Sequence, residues 1–145
     1  MVHENRHLIN CLRGGVIDNT LLMRAVFDDN YDVFDYLIKK PQDFSVVARD
    51  DLNIIHYIAW FGRDEICESQ LIKLSHKTNV ESLINERDLD GQTPLHVAAR
   101  RNKHRIIAWL ISIGSDVNVR NNNNDLPDEY DMCNDETKRI IRQSR

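Results

Sequence analysis

The sequence predicts an all-α solenoid, about four helical pairs stacked side by side behind an N-terminal capping helix. Three observations predict it. The stretch "TPLHVAARRNKHRIIAWLI" at 93–111 has weaker copies in "TLLMRAVFDDNYDVFDYLI" at 20–38 and "NIIHYIAWFGRDEIC" at 53–67. The copies keep register: Met23 to His56 is 33 residues, His56 to His96 is 40, and Pro127 and Ile140 each lie 33 after Pro94 and Ile107. Self-similarity near that period, built from helical pairs, marks a stacked array in which each unit buries its apolar face against the next. Within the clearest copy, Ile106, Ile107, Leu110 and Ile111 recur at helical spacing and form one apolar stripe.

The elements follow in order along one domain, residues 1–145. Residues 1–15 form the N-terminal cap, in which 4–14 are one helix covering the stack with Leu8, Ile9 and Leu12. The first repeat is 16–48, the second 49–87, the third 88–120, and 121–145 is a degenerate C-terminal repeat. The 40-residue offset between His56 and His96, against 33 elsewhere, places seven extra residues of the second repeat within 68–80. In the third repeat the Thr93 hydroxyl is placed to accept an orphan N–H, and Pro94 lacks the N–H that a first helical position leaves unpaired. Ala98 and Ala99 are small enough for close helix approach, and Gly114 suits a left-handed end to the second helix. "NNNNDLPDEY" is a loop entering the last repeat, since Asn tolerates tight turns.

Composition narrows the function classes. The 145-residue chain is 41% hydrophobic and 29% charged, an ordinary folded balance, with a net charge of −4 that gives no global attraction to nucleic acid or anionic membrane. Five Gly and three Pro are few for a many-turned β protein. Cys11, Cys67 and Cys133 are far apart and odd in number, which argues against a disulfide framework or zinc site and for a reducing compartment. No apolar run approaches the roughly 18 residues of a membrane span, and the N-terminus lacks a signal-peptide core. The reading is an intracellular, monomeric, cytoplasmic protein with access to the nucleus, without metal or cofactor.

The run Asp90-Gly91-x-Thr93-Pro94-Leu95-His96-x-Ala98-Ala99, continued by Gly114-x-Asp116-Val117-Asn118, resembles the ankyrin repeat family. The resemblance covers roughly 16–142. Departures are Leu21 and Met23 for the Pro and His in the first repeat, Asp51 and Asn53 for the Gly and Thr in the second, and Asn124 and Asp128 in the fourth. Polar residues suit an end repeat, which presents a wet outer face. The resemblance implies that His56 and His96 bond nearby backbone and tie adjacent turns together. It also assigns the variable, partner-touching positions to Phe27, Asp28, Trp60, Phe61, Arg100 and Arg101, with Leu52 and Gln92 at turn tips. Phe27, Trp60 and Phe61 then lie side by side on a concave face, where an exposed aromatic cluster signals binding unless the N-terminal helix or the inserted segment covers it. Asn118, eight residues after Leu110, is similar to ankyrin asparagines that are hydroxylated; its plainer role is to hydrogen-bond its own turn.

Other chemistry finds little support. There is no GxSxG, HExxH, P-loop or paired-carboxylate motif, so catalysis is not expected. Arg100-Arg101-Asn102-Lys103-His104-Arg105 is basic but short, lacks interleaved aromatics and falls at a turn, so a solvated turn is the plainer reading than a nucleic-acid patch. Asp28, Asp29, Asp32 and Asp35 give the first repeat the opposite charge, which suits a partner carrying a basic segment. The size, the irregular second repeat and "NIIHYIAWFG" are similar to small viral ankyrin proteins that imitate IκB and hold Rel/NF-κB dimers. No Ser-Gly dipeptide of a phosphorylation-controlled degron is present, and the end "DETKRIIRQSR" is basic. The alternative is an ankyrin adaptor, scaffold fragment or bacterial effector recruiting a ubiquitin-ligase or kinase complex.

Overall fold

A computed structural model describes residues 19–145. The expected N-terminal helix over 4–14, the first residues of the first repeat and Cys11 lie outside the described residues. Among those described, the chain is all helix and turn, without a strand.

A pair of helices frames each of the first three repeats. In the first, α1 (Leu21–Phe27) and α2 (Tyr31–Leu37) begin at caps whose side chains accept first-turn N–H groups, Thr20 from Met23 and Asn30 from Val33. Between them Asp29 turns the chain at φ 58°. The second repeat opens with a 3-10 turn, Arg49–Asp51, then α3 (Ile54–Phe61) and α4 (Asp64–Ser75). The extra residues lengthen α4 to 12 residues and add a short helix α5 (Val80–Ile84), which buries Val80, Leu83 and Ile84. The third repeat contributes α6 (Pro94–Arg100) and α7 (His104–Ser112). Helix α1 packs on α3 and α3 on α6, while α4 packs on α7 and α7 on α8 (Asp135–Gln143). One core runs through all four units, from Leu22, Met23 and Phe34 through Ile55, Ile58 and Leu71 to Leu95, Ile107, Leu110 and Ile141.

The turns before each first helix are built alike. Ala48 N–H donates to Leu52 O (2.8 Å), Asp88 to Gln92 O (2.8 Å) and Asn121 to Asp125 O (3.0 Å). Each turn also bonds the next, Leu89 N–H to Asp50 O (2.8 Å) and Asn122 N–H to Asp90 O (3.0 Å). The turns need left-handed residues: Gly91 has φ 76°, and the departures Asp51 (φ 61°) and Asn124 (φ 67°) adopt the same region, which Asp and Asn tolerate. Gly91 is further constrained by close approach, since a Cβ there would sit 2.8 Å from the Asn122 backbone nitrogen.

The fourth repeat exposes most of its residues, but Asp128 is not among its solvent-facing polar ones. Its first helix does not form, and residues 121–134 run as turns. Asp128, at the position of core Leu95, is only 2% exposed and is held by Arg142 Nε (3.0 Å) and by Arg145 Nη1 (3.0 Å) and Nη2. Burial pushes the Asp128 carboxyl up, but the hydrogen bonds from Arg145 and Arg142 outweigh it and hold it at about 2. A carboxylate cannot supply the apolar contact that would hold a helix here, so two arginines close the end of the stack instead. Asp128→Ala is expected to cost about 2 kcal/mol in urea denaturation, less than a fully buried pair because Arg142 remains largely exposed.

Candidate protein-binding face

The first helices of successive repeats end in aromatic or basic residues, and stacking brings these ends together. Phe27 closes α1 and Phe61 closes α3, 50% and 41% exposed, with ring centroids 4.9 Å apart edge to face. Trp60 is half-buried beside Phe61, their centroids 6.4 Å apart, and Tyr57 supports Phe61 from one helical turn earlier at 5.3 Å. From the end of α6, the guanidinium groups of Arg100 and Arg101 lie 5.3 and 5.8 Å from the Trp60 ring centroid, within cation–π reach. Arg100 also lies 5.2 Å from the centre of Tyr130, and Arg24 lies 5.3 Å from the centre of Phe27. The result is a continuous strip across four repeats: Arg24, Phe27, Phe61, Trp60, Arg100 with Arg101, and Tyr130. Asp28 sits at its edge, paired with Arg24 Nε at 2.9 Å. Among the described residues, neither α4 nor the short helix α5 removes Phe27 and Phe61 from the surface.

Leu52 is half-buried at its turn, but Gln92 is not at a turn tip available to a partner. It is 3% exposed; its N–H is held by Asp88 Oδ1 (2.9 Å), and its Oε1 accepts from Tyr130 OH (3.0 Å) and Arg100 Nη1 (3.4 Å). The outward residue of that turn is Leu89, 61% exposed. Gln92 therefore positions the strip from beneath. Asn118 is exposed and its Oδ1 accepts from Arg145 Nε (3.1 Å), while Asp116 Oδ1 accepts from its N–H (2.9 Å).

The two histidines are fully buried. His56 Nε2 donates to Gln92 O (2.9 Å), which requires Nδ1 to be the unprotonated nitrogen, and Nδ1 accepts from Asn53 N–H (3.2 Å). His96 repeats the arrangement, Nε2 to Asp125 O (3.1 Å) and Nδ1 from Thr93 N–H (3.2 Å). The Thr93 hydroxyl lies 3.0 Å from that same Nδ1, so the helix start is closed through the imidazole. Burial pushes the His56 imidazole down to about 4 and lowers His96 as well, leaving both neutral near pH 7. Gly114, just after α7, takes φ 106°. Burial likewise raises Cys67 to about 12 and raises Cys133, so neither thiol is poised as a nucleophile.

The basic run is only partly a solvated turn: Arg101 and Arg105 are exposed, but the residues between them are half-buried. Lys103 Nζ reaches back to the carbonyls of Gly62 and Trp60, and burial lowers its pKa. Asn102 donates to Met132 O (2.8 Å) and accepts from Asn134 N–H (2.8 Å), and His104 Nε2 lies 3.1 Å from Thr137 Oγ1. These side chains join repeats. Most of the acidic run is likewise spent within the fold: Asp29 pairs with Arg63 (2.6 Å) and Asp35 with Lys73 (2.6 Å), and only Asp32 has no ion pair among the described residues.

Arg24 and Tyr130 join this face although the repeat register does not assign them to it. Arg24 follows the helical spacing before Phe27 and Asp28 and was legible in principle. Tyr130 belongs to the repeat whose first helix does not form, so no register carried it over.

Comparison with known proteins agrees with this geometry. A family model described as "Ankyrin repeats (3 copies)" matches residues 6–121. A putative ankyrin repeat protein of Rickettsia bellii is 31% identical, covering 70% of this chain and 14% of its own length. The putative ankyrin repeat protein FPV230 of fowlpox virus is 24% identical, covering 77% of this chain and 73% of its own. The nuclear factor NF-kappa-B p105 subunit of Rattus norvegicus is 26% identical, covering 79% of this chain and 12% of its own. The chain thus spans a small part of the Rickettsia and rat proteins and most of the fowlpox one. Its repeated helical pairs, its bonded turns and the family match over most of its length make one statement: the chain belongs to the ankyrin repeat family, whose repeats are protein–protein interaction modules.

Proposed function

We propose that the chain is a non-catalytic binding module that captures another protein on the strip Phe27, Phe61, Trp60, Arg100 and Arg101, and that this partner is a Rel/NF-κB transcription factor held in the cytoplasm. The observation that carries the binding reading is the contiguity of exposed aromatics with arginines, the residue types that dominate binding energy at protein interfaces. Likeness to the p105 subunit and to a fowlpox ankyrin repeat protein, most of whose length this chain covers, supports the IκB-like part. A second reading, an adaptor or effector that recruits a ubiquitin-ligase or kinase complex, draws support from the likeness to the much longer Rickettsia protein.

Affinity purification of the tagged chain from insect and mammalian cells, with Trp60→Ala run in parallel, tests this. Rel proteins recovered with the parent and lost with the variant are the expected result. Ubiquitin-ligase or kinase subunits in their place select the adaptor, and an identical set of captured proteins from both baits removes the strip from the account.

A further inference from the structure

We infer that the segment this face receives is acidic and apolar, a carboxylate side chain beside an aromatic or branched aliphatic one. The inference rests on the strip being the binding face and adds the chemistry of its occupant.

The charges of the strip point in one direction. Asp28 is already paired with Arg24, and Asp29 and Asp35 with Arg63 and Lys73, so the first repeat has little negative charge left to offer. Arg100 and Arg101 have no carboxylate partner among the described residues, although the chain carries 23 Asp and Glu against 19 Lys and Arg. They rest over the rings of Trp60 and Tyr130 instead.

Arg100 also holds a donor in suspense. Its Nε is buried without a hydrogen-bond partner, and its Nη1 reaches Gln92 Oε1 at a long 3.4 Å. A buried donor left unmade is costly, so turning the edge of the guanidinium onto an incoming acceptor is favourable. The fork of Arg matches a carboxylate with two parallel N–H···O bonds, and Arg101, exposed beside it, supplies a second positive charge. Next to this pair, Phe27 and Phe61 offer half their surface to an apolar neighbour in the same segment.

Two other occupants fit less well. A basic segment would meet Arg24, Arg100 and Arg101 and would have to break the Arg24–Asp28 pair. A single-stranded nucleic acid needs open ring faces and a line of cations along its backbone. Here the guanidiniums lie over Trp60, the rings of Phe27 and Phe61 close on each other edge to face, and the net charge is −4.

The test is selection from a random-peptide phage library on the immobilised full chain, beside Trp60→Ala, Arg101→Gln and the Arg100→Gln/Arg101→Gln pair, all first shown to melt at the parent temperature. The parent is expected to enrich peptides placing Asp or Glu beside an aromatic or aliphatic residue. The best of them, made synthetically, should bind roughly tenfold more weakly to the arginine pair variant, with Arg101→Gln in between, and more weakly as salt rises. Basic or uncharged peptides that still require Trp60 overturn the acidic assignment while leaving the face in place. No enrichment over an unrelated helical-repeat control overturns it as well, as does a fluorescent oligouridylate that binds more tightly than any peptide. Peptides that bind Trp60→Ala as well as the parent overturn the face itself.

Discussion

Truncating Leu110 to Ala is expected to destabilise the chain by about 2–5 kcal/mol, the range for emptying a fully buried leucine site. Leu110 is 0% exposed, on α7 between α4 and α8, and it shares its surroundings with Ile106 and Ile107. Helix α7 packs on helices of the second, third and fourth repeats, so a cavity on it cannot be closed by shifting one helix without opening another contact. In a stacked array such a loss also weakens coupling between units. Urea denaturation followed by circular dichroism should show a lower midpoint, with the C-terminal helix α8 loosening first. A loss below about half a kcal/mol would place Leu110 outside the core.

Acidification from pH 7 to pH 5 is expected to remove about 2 kcal/mol of stability through His56 alone. The folded imidazole is pushed by burial from 6.5 to about 4, while the unfolded one titrates near 6.5. Below pH 6.5 the unfolded chain takes up a proton that the folded chain refuses. The stabilising contribution is therefore whole above pH 6.5 and declines as the pH falls toward 4. His96, also lowered by burial, acts in the same direction. Protonation would end Nδ1's acceptance from Asn53 N–H or Thr93 N–H and leave the new N–H only Asn53 Oδ1 (2.9 Å) or Thr93 Oγ1 (3.0 Å), oxygens that lie at the start of the same first helix. Unfolding free energies at several pH values in constant salt check this, and a flat profile between pH 7 and pH 5 would mean that the imidazoles are not held neutral.

The stack itself was legible because a repeat states its fold several times. Thr20, Asn53 and Thr93 recur at the same place before each first helix, and the apolar residues after them keep helical spacing. The proximity of Phe27 and Phe61 followed from the same register, since each ends an equivalent helix. What escaped were contacts set by side-chain direction rather than by period. The register assigns Gln92 to an exposed tip, yet it turns inward because Asp88 and Tyr130 hold it. The charged neighbours of Lys103 predict a surface position, although its ammonium lies against carbonyls of the preceding repeat. A signal for that contact was present: Arg63 and Lys103 stand 40 residues apart, just before α4 and α7, and both reach back to the previous repeat. The place of Asp128 in an end repeat predicts a wet side chain, and nothing local marks Arg142 and Arg145, 14 and 17 residues later, as its partners.

The most direct test of the central claim, that the aromatic–arginine strip is where a partner binds, is the dissociation constant of the purified partner for the parent and for Trp60→Ala. Trp60 is half-buried under two guanidiniums, so its loss removes both an anchor and the platform that orients Arg100 and Arg101. With melting temperatures matched, the variant should bind at least about 30-fold more weakly, the equivalent of about 2 kcal/mol. Equal affinity for a stable Trp60→Ala protein would contradict the claim and move the interface away from the ends of the first helices, toward α4 and the short helix that follows it.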